Sequence, residues 1–255
     1  MDEFLKKAIL AAGAVGLDYF NKGVSSKTKT HLGDLVTQAD YAVSDFLIEV
    51  ISKAYPEHGI YSEELSEVIN PKSDYLWMID PIDGTRNFAN HIPFWCTLVA
   101  LWHKEELVLG AAYNPVADQL FFAEKGKGAT FNGKSIHVNS IESLDHSFGC
   151  FVRGTRGQPG DRERFKRASS RLVTDTSAWP HNFGTMFGMC FIASGGVDFY
   201  FGNGGLNHDY AAPALICREA GALVTDCDGK PWQRDVGTIV IANPKLHAKV
   251  LELLK

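Results

Sequence analysis

The chain has 255 residues, with 25 Lys and Arg against 30 Asp and Glu and a formal net charge of -5 at pH 7. Hydrophobic residues make up 45% and charged residues 22%, which is typical of a globular protein with a sizeable core. Collagen-like, disordered and disulfide-stabilised miniprotein classes are excluded, and the length predicts one large domain or two closely fused halves.

Two helices are predicted first. Apolar residues recur every three or four positions over Phe4–Tyr19, and again from about Gln38 until Tyr55-Pro56 ends the pattern. The apolar run Tyr75–Ile79 then predicts a strand that is buried on both faces. A hairpin and a meander should follow. These comprise Phe94–Trp102, Leu107–Tyr113, Leu120–Ala123 and a turn at Phe131–Lys134.

The second part of the chain mixes helices and strands. A basic helix should follow a strand at Phe148–Val152, and a further strand is predicted near Leu172–Asp175. The remaining predictions are helices at Gly184–Ser194, Asp209–Ala220 and Pro244–Leu254, and strands at Val197–Phe201, Ala222–Thr225 and Thr238–Ala242. A helix pair, a long meander and then alternating elements predict a layered α+β sandwich, not a uniform Rossmann sheet.

Several features bear on location and partners. The most apolar stretch, Ile92–Trp102, covers 11 residues, well short of the roughly 20 that span a bilayer. Met1-Asp2-Glu3 opens the chain without a basic segment before an apolar run, so no signal peptide is predicted. The five cysteines are scattered and predict buried free thiols in a reducing compartment. We therefore expect a cytoplasmic protein with no membrane partner.

Positive charge is concentrated in one segment. Arg153–Arg171 carries seven basic and two acidic residues, a local charge of +5 that leaves -10 for the rest. The simpler interpretation is a solvated helix face, and the alternative is attraction of an anionic ligand or partner. Because the whole chain is acidic, nucleic acid is not the expected partner.

The motif Asp80-Pro81-Ile82-Asp83-Gly84-Thr85 places two carboxylates directly after a buried strand. Groups at the carboxyl end of a strand are held rigidly at a ligand crevice, and Mg²⁺ prefers oxygen ligands. The Ile82 carbonyl could add another oxygen, and the N–H groups of Gly84 and Thr85 could face a phosphate. A capped Asp-rich turn is the structural alternative.

Further acids strengthen the metal hypothesis. Glu63-Glu64 follow a short apolar piece, and Asp209 stands at the predicted start of a helix. Singly, Asp209 could be a helix cap and Glu63 a surface residue. Together with Asp80 and Asp83 they supply oxygen ligands for two or three Mg²⁺. No His-x-x-x-His or Cys cluster indicates zinc.

With these motifs the chain resembles the inositol monophosphatase family of Mg²⁺-dependent, Li⁺-sensitive phosphatases. The resemblance covers essentially the whole chain and rests on Asp34–Asp40, Glu63-Glu64, Asp80–Phe88 and Asp209–Ala212. It implies an αβαβα sandwich, a homodimer and a small phosphorylated metabolite as substrate. It also implies a metal and phosphate half at approximately 1–145 and a substrate half at approximately 146–255.

The same resemblance implies a ligand set for the metals. Glu63, Asp80 and the Ile82 carbonyl would hold a first ion, and Asp80, Asp83 and Asp209 a second. Glu63 would also help to hold a weaker third ion. Of these residues, Glu63 is also expected among the catalytic groups.

The resemblance implies roles for the neighbouring residues as well. Asp40 would pair with the Thr85 hydroxyl to orient the attacking water. The amides of Gly84 and Thr85 would bind the phosphate, and Lys29 would belong to a mobile loop near the metals. The metals would neutralise the charge of the phosphate oxygens, and the water would then attack the phosphorus in line.

Substrate contacts are implied for Asp83, Gly184, Thr185 and Asn203. Three positions depart from the pattern of inositol-preferring members: Met186, where a small residue is common; Asn203, where a glutamate is common; and His208, where a tryptophan is usual. Filling of the core is the expected role of Met186.

These departures leave the substrate open. Inositol 1-phosphate is the first candidate, and histidinol phosphate, fructose 1,6-bisphosphate and NADP(H) follow it. A haloacid-dehalogenase type phosphatase is disfavoured, because its two aspartates are two apart and Asp80 and Asp83 are three apart. The non-enzyme alternative is an RNA or protein interaction through residues 153–171.

Overall fold

The computed structural model describes residues 1–23, 26–28, 35–153 and 159–255. Over these residues the chain forms seven helices, namely α1 (Asp2–Lys22), α2 (Gln38–Ala54), α3 (Thr85–Ala89), α4 (Pro159–Asp175), α5 (Phe187–Ala193), α6 (Asn207–Glu219) and α7 (His247–Leu253). The same residues form fourteen strands, namely β1 (Ser26–Thr28), β2 (Leu35–Thr37), β3 (Gly59–Ser62), β4 (Tyr75–Asp83), β5 (Cys96–His103), β6 (Glu106–Asn114), β7 (Gln119–Glu124), β8 (Gly128–Phe131), β9 (Lys134–Ile136), β10 (Phe148–Arg153), β11 (Trp179–His181), β12 (Phe199–Asn203), β13 (Leu223–Thr225) and β14 (Thr238–Ala242).

The first large sheet is the predicted meander with one added edge strand. Its seven strands run in chain order from β3 to β9. β3 pairs with β4 in parallel, and every later pair is antiparallel. Asn132 (φ 46°) and Gly133 (φ 76°) form the β8–β9 turn, where two left-handed residues match the twist of a two-residue hairpin. The turn predicted at Phe131–Lys134 is therefore confirmed.

The second sheet has five strands in the order β11-β10-β12-β14-β13. β11 and β12 flank β10 in parallel, whereas β14 runs antiparallel to both β12 and β13. β1 and β2 form a separate antiparallel pair. The two large sheets lie on opposite sides of residue 145 in the sequence, from Gly59 to Ile136 and from Phe148 to Ala242.

Successive side chains along each strand point to opposite faces of its sheet, so the two sheets border three hydrophobic cores. Trp77 packs with α1 and α2 on one face of the first sheet, whereas the next residue, Met78, faces the core around α5 and α6. In the second sheet Tyr200 faces that same central core, and Phe201 faces the core with α4 and α7. The layers are therefore helix, sheet, helix, sheet, helix, which confirms the predicted αβαβα sandwich.

The structure corrects two sequence predictions of secondary structure. The strand expected near Leu172–Asp175 is wrong, because α4 continues through Asp175 and buries Leu172 against the second sheet. The helix expected from Gly184 begins at Phe187, since Gly184 has a φ of 71° and hydrogen bonds bind the following residues to Asp83.

Two other expectations concern thiols and membranes. All five cysteines are buried and free, as predicted. None of the helices in the described parts of the chain is both long and apolar enough to span a bilayer.

Candidate metal and phosphate site

A β-bulge at the end of β4 separates the two motif carboxylates. Asp80 pairs with Leu98 and Asp83 pairs with Cys96, so two residues of β4 lie opposite the single residue Thr97. Pro81 has no N–H to donate there, and its carbonyl instead accepts the Thr97 hydroxyl at 2.8 Å. The bulge places Asp80 and Asp83 on the same side of the strand end, facing the central helices.

Glu63 arrives from the neighbouring strand. β3 runs parallel to β4 with Ser62 opposite Ile79, and the Glu63 N–H donates to the Ile79 carbonyl at 3.1 Å. The carboxyl ends of parallel strands lie at the same edge of a sheet, so Glu63 and Asp80 meet there. The side chain of Glu63 is 22% exposed.

Asp209 and His208 enter from the first turn of α6. Asp209 Oδ2 accepts the Leu206 N–H at 2.5 Å, so this aspartate caps the helix and also faces the strand ends. The His208 ring stacks on Tyr61 with centroids 5.7 Å apart and an interplanar angle of 19°. Its Nε2 lies 4.0 Å from Glu63 Oε2 and 3.8 Å from Asp209 Oδ1.

These elements bring the predicted acids together. Asp80, Asp83 and Asp209 each offer a ligand atom, and all three atoms lie within 4.8 Å of one another. Glu63, Asp80 and His208 form a second such group. The sequence interpretation of Glu63 as a surface residue is thus superseded, and Asp209 combines the cap with a place in the cluster.

Electrostatics make this cluster unfavourable without cations. Burial, and then the charges of Glu63, Asp83 and Asp209, raise the pKa of Asp80 well above its usual range. Burial also raises the pKa of Asp83 to about 7, although hydrogen bonds to its carboxylate oppose the rise. Asp80 Oδ1 is buried and has no hydrogen-bond partner. Closely spaced oxygen donors with an unsatisfied buried carboxylate oxygen fit Mg²⁺.

Asp83 is held by the segment that precedes α5. Its Oδ2 accepts the Thr185 hydroxyl, the Met186 N–H at 2.6 Å and the Phe187 N–H at 3.2 Å. The Cys96 thiol lies 3.4 Å from the same oxygen. In this structure Thr185 therefore orients a carboxylate of the cluster, and its expected contact with substrate stays a prediction.

Gly184 and Met186 flank this contact. A side chain at Gly184 would be strained by the φ of 71°, and its Cβ would in addition lie only 3.0 Å from Asn87 Oδ1. Met186 packs against the central core, and its sulfur accepts the Tyr200 hydroxyl at 3.4 Å. The expected core-filling role of Met186 is confirmed.

Asp40 lies buried at the start of α2. Its Oδ2 accepts the Thr37 N–H at 2.8 Å and the Thr37 hydroxyl at 2.7 Å, which completes a capping box with Thr37. Burial, with smaller contributions from the charges of Glu64 and Glu63, raises the pKa of Asp40 to about 7. Asp40 Oδ1 has no hydrogen-bond partner.

The hydrogen bond expected between Asp40 and Thr85 is not formed in this structure. The Thr85 hydroxyl instead donates to the Ile82 carbonyl at 3.0 Å, closing the turn that leads into α3. Gly84, the residue before α3, has a φ of 93°, and a Cβ there would lie 3.1 Å from Thr185 Cβ. The Ile82 carbonyl, Gly84 and Thr85 thus lie together at the end of β4, beside the acids.

Two predicted residues remain, Asn203 and Lys29. Asn203 is 1% exposed at the end of β12, in register with Thr238 of β14. The following residues, Gly204 to Asn207, line a cavity of about 570 Å³ together with Arg164 of α4. Lys29 lies outside the described residues.

Sequence reasoning did not predict the place of His208. The absence of a His-x-x-x-His or Cys pattern argued against zinc, and the expected ligands were all oxygens, but the fold brings a single histidine to Glu63 and Asp80. Its sequence signals were its position immediately before Asp209 and its place where a tryptophan is usual in the family it resembles.

Comparison with known proteins agrees with this geometry. A sequence model described as the inositol monophosphatase family matches residues 1–255. An inositol monophosphatase of Dictyostelium discoideum is 32% identical over 100% of this chain and 96% of that protein. A Nus factor SuhB of Haemophilus influenzae is 31% identical over 98% and 94%. The crystal structure of the extragenic suppressor protein suhB from Bartonella henselae superposes with a TM-score of 0.91 at 29% identity, covering 99% of this chain and 97% of that one.

Proposed function

Because this chain belongs to the inositol monophosphatase family, a family of phosphatases, we propose that it hydrolyses small phosphate monoesters with Mg²⁺ as cofactor. Inositol 1-phosphate is the first candidate substrate. The observation that carries the proposal is the convergence of Asp80, Asp83 and Asp209, whose ligand atoms lie within 4.8 Å of one another next to Glu63.

The residues of the cluster divide into two overlapping ligand sets. Glu63, Asp80 and the Ile82 carbonyl would hold one Mg²⁺, and Asp80, Asp83 and Asp209 a second. Glu63 would also contribute to a weaker third ion. When bound, Mg²⁺ supplies positive charge that neutralises phosphate oxygens and acidifies a water molecule.

The chain's own groups position the phosphate and the proton acceptor. The amides of Gly84 and Thr85 would donate to phosphate oxygens at the end of β4. Thr37 holds Asp40 through Oδ2, which leaves Oδ1 as the oxygen that can accept a proton. A carboxylate with a pKa of about 7 can gain and lose that proton near neutral pH. Asp40 and the Thr85 hydroxyl would act together on the attacking water.

Substrate identity is the finer part of the proposal. Relatives named inositol monophosphatase support inositol 1-phosphate. A solved structure named an inositol monophosphatase and fructose 1,6-bisphosphatase, 27% identical with a TM-score of 0.82, keeps fructose 1,6-bisphosphate as a second candidate. Histidinol phosphate and NADP(H) complete the set of candidate substrates. Asp83, Gly184, Thr185 and Asn203 would form the alcohol side of the site.

A phosphate-release assay over these four esters tests the proposal directly. We expect release that requires Mg²⁺, is abolished by EDTA and is inhibited by millimolar Li⁺. Asp80→Asn should abolish turnover without unfolding the protein, because Asp80 belongs to both ligand sets. Undiminished release in EDTA would refute the metal assignment.

A homodimer in the cytoplasm is proposed as the working form. Trp179 is 67% exposed on β11, the edge strand of the second sheet, and Val173 of α4 is 61% exposed. An exposed edge strand with a large apolar side chain is suited to pairing with a second copy of the chain. The oligomeric state in solution, measured by light scattering, tests this part.

A second candidate function is binding of RNA or protein through residues 153–171. It is favoured by relatives named Nus factor SuhB. On α4, Arg162, Lys166 and Arg167 are exposed, whereas Arg164 makes an ion pair with Asp228 at 2.9 Å. Retention of a short RNA on the protein at physiological salt would support this role, and the solvated-face interpretation predicts none.

A further inference from the structure

The side chain of His208 lies at the carboxylate cluster without the partners that a buried imidazole ordinarily has. It is 3% exposed, its Nδ1 has no hydrogen-bond partner, and it makes no hydrogen bond within the described residues. Its Nε2 faces Glu63 and Asp209 at 4.0 and 3.8 Å, which is beyond hydrogen-bonding distance. Nδ1 is the buried atom left without a partner, whereas Nε2, which faces the two carboxylates, has a lone pair available for a cation.

The separations fit shared coordination of one cation. Glu63, Asp80 and His208 offer ligand atoms that all lie within 4.8 Å of one another. Donors about 2.1 Å from an octahedral ion are about 3.0 Å apart when adjacent and about 4.2 Å apart when opposite. The distance of 4.0 Å between Nε2 and Glu63 Oε2 falls within that range. Stacking on Tyr61 holds the plane of the ring.

We propose that His208, together with Glu63, binds a transition-metal dication such as Co²⁺, Mn²⁺ or Zn²⁺ beside the Mg²⁺ positions. Imidazole nitrogen suits these ions, whereas Mg²⁺ prefers oxygen ligands. The ring also borders a cavity of about 330 Å³, which Leu206 and Arg234 line as well. This inference rests on the proposed function, since it specifies the metal that one part of the same site selects.

Calorimetric titration with Co²⁺ alone provides the first test. His208→Phe removes both nitrogens and keeps an aromatic ring against Tyr61, and His137→Phe makes the same change at an exposed histidine. We expect Co²⁺ to bind His208→Phe at least about tenfold more weakly than wild type, with His137→Phe unchanged. Equal affinity of the three proteins for Co²⁺ would overturn the inference.

A spectroscopic test detects the nitrogen ligand directly, and its first measurement is made on the wild-type protein. Electron spin-echo measurements on the wild-type protein loaded with Mn²⁺ should show modulation from an imidazole nitrogen, and His208→Phe should lose it. Absence of that modulation in wild type, or its persistence in a folded His208→Phe, would refute the nitrogen ligand.

Neither result depends on turnover. Wild-type protein that binds Co²⁺ through His208 but releases no phosphate from any ester in Mg²⁺ would refute the proposed function and leave the metal inference standing. Wild-type protein that hydrolyses an ester in Mg²⁺ but shows no role of His208 in Co²⁺ binding would refute the metal inference and leave the proposed function standing.

Discussion

Replacement of Asp40 by asparagine is expected to lower turnover and, at the same time, to stabilise the metal-free protein at pH 8. Asp40 is 1% exposed, and its Oδ1 has no hydrogen-bond partner. Burial first, and then the neighbouring charges of Glu64 and Glu63, raise its pKa to about 7. An ionised Asp40 is therefore unfavourable in the folded state at pH 8.

Proton linkage determines the sign of the effect. Since the pKa of Asp40 rises from 3.8 to about 7 on folding, the folded state binds more protons between those values. The associated stability is present in full below about pH 4 and is lost as the pH rises through 7. The loss amounts to roughly 4 kcal/mol, because each pH unit is worth about 1.4 kcal/mol.

Asparagine keeps the uncharged form at every pH. Its oxygen can still accept the two hydrogen bonds from Thr37. Its amide group carries two N–H donors at the Oδ1 position, one more than the protonated carboxyl, and the extra donor without an acceptor costs roughly 1–3 kcal/mol. Asp40→Asn should therefore be less stable than wild type by that amount near pH 4. At pH 8 the same variant should be more stable than wild type by roughly 1–3 kcal/mol.

Urea unfolding in EDTA at pH 4, 6 and 8 measures this change in the free energy of unfolding. Asp45→Asn, an exposed position on the same helix, is the matched control and should change stability by no more than about 0.5 kcal/mol at each pH. In Mg²⁺, kcat of Asp40→Asn should fall roughly 10²-fold or more. A stability difference that does not vary with pH would show that Asp40 does not titrate near 7, and the reasoning would fail.

Three further substitutions test the proposed site and assembly. Thr85→Ala should lower kcat by roughly 10²-fold with little change in KM, whereas a raised KM at normal kcat would assign the hydroxyl to ground-state phosphate binding. Asn203→Glu should raise kcat/KM for inositol 1-phosphate relative to fructose 1,6-bisphosphate by about tenfold, because a carboxylate accepts ring hydroxyls and repels a second phosphate; a flat ratio would remove Asn203 from the alcohol side. Trp179→Glu should shift the light-scattering mass from dimer to monomer while the circular dichroism spectrum is retained, and an unchanged dimer would exclude β11 as the interface.

Much of the fold follows from patterns of residues close together in the sequence. The apolar run Tyr75–Ile79 identifies β4 as a strand buried on both faces, and Trp77 and Met78 indeed face different cores. The Asn132-Gly133 pair is sufficient for the β8–β9 turn, because both residues tolerate a positive φ. The limits of α4 and α5 were mispredicted. Leu172 fits a strand and a helix equally well, and the start of α5 depends on contacts with Asp83.

The cluster of acids could also be predicted from the sequence, because each acid lies in a short motif next to a strand or a helix start. The hydrogen-bond partners of the hydroxyl groups in the site could not be predicted from the sequence. Thr85 donates to Ile82 and not to Asp40, and Thr185 holds Asp83 from the other half of the chain. These hydrogen bonds depend on how close two separately formed elements come after packing.

The position of His208 shows most clearly what tertiary structure decided. The sequence identifies His208 only as the residue before Asp209, where the predicted helix begins. In the structure α6 begins at Asn207, so His208 lies in its first turn. Its approach to Glu63 requires β3 to pair in parallel with β4 and α6 to pack across the first sheet, where a Cβ on Gly110 would lie 2.9 Å from the Ala212 carbonyl oxygen. Local propensity and motif spacing act over a few residues, whereas the donor atoms around a cation are brought together by the packing of layers that are far apart in the chain.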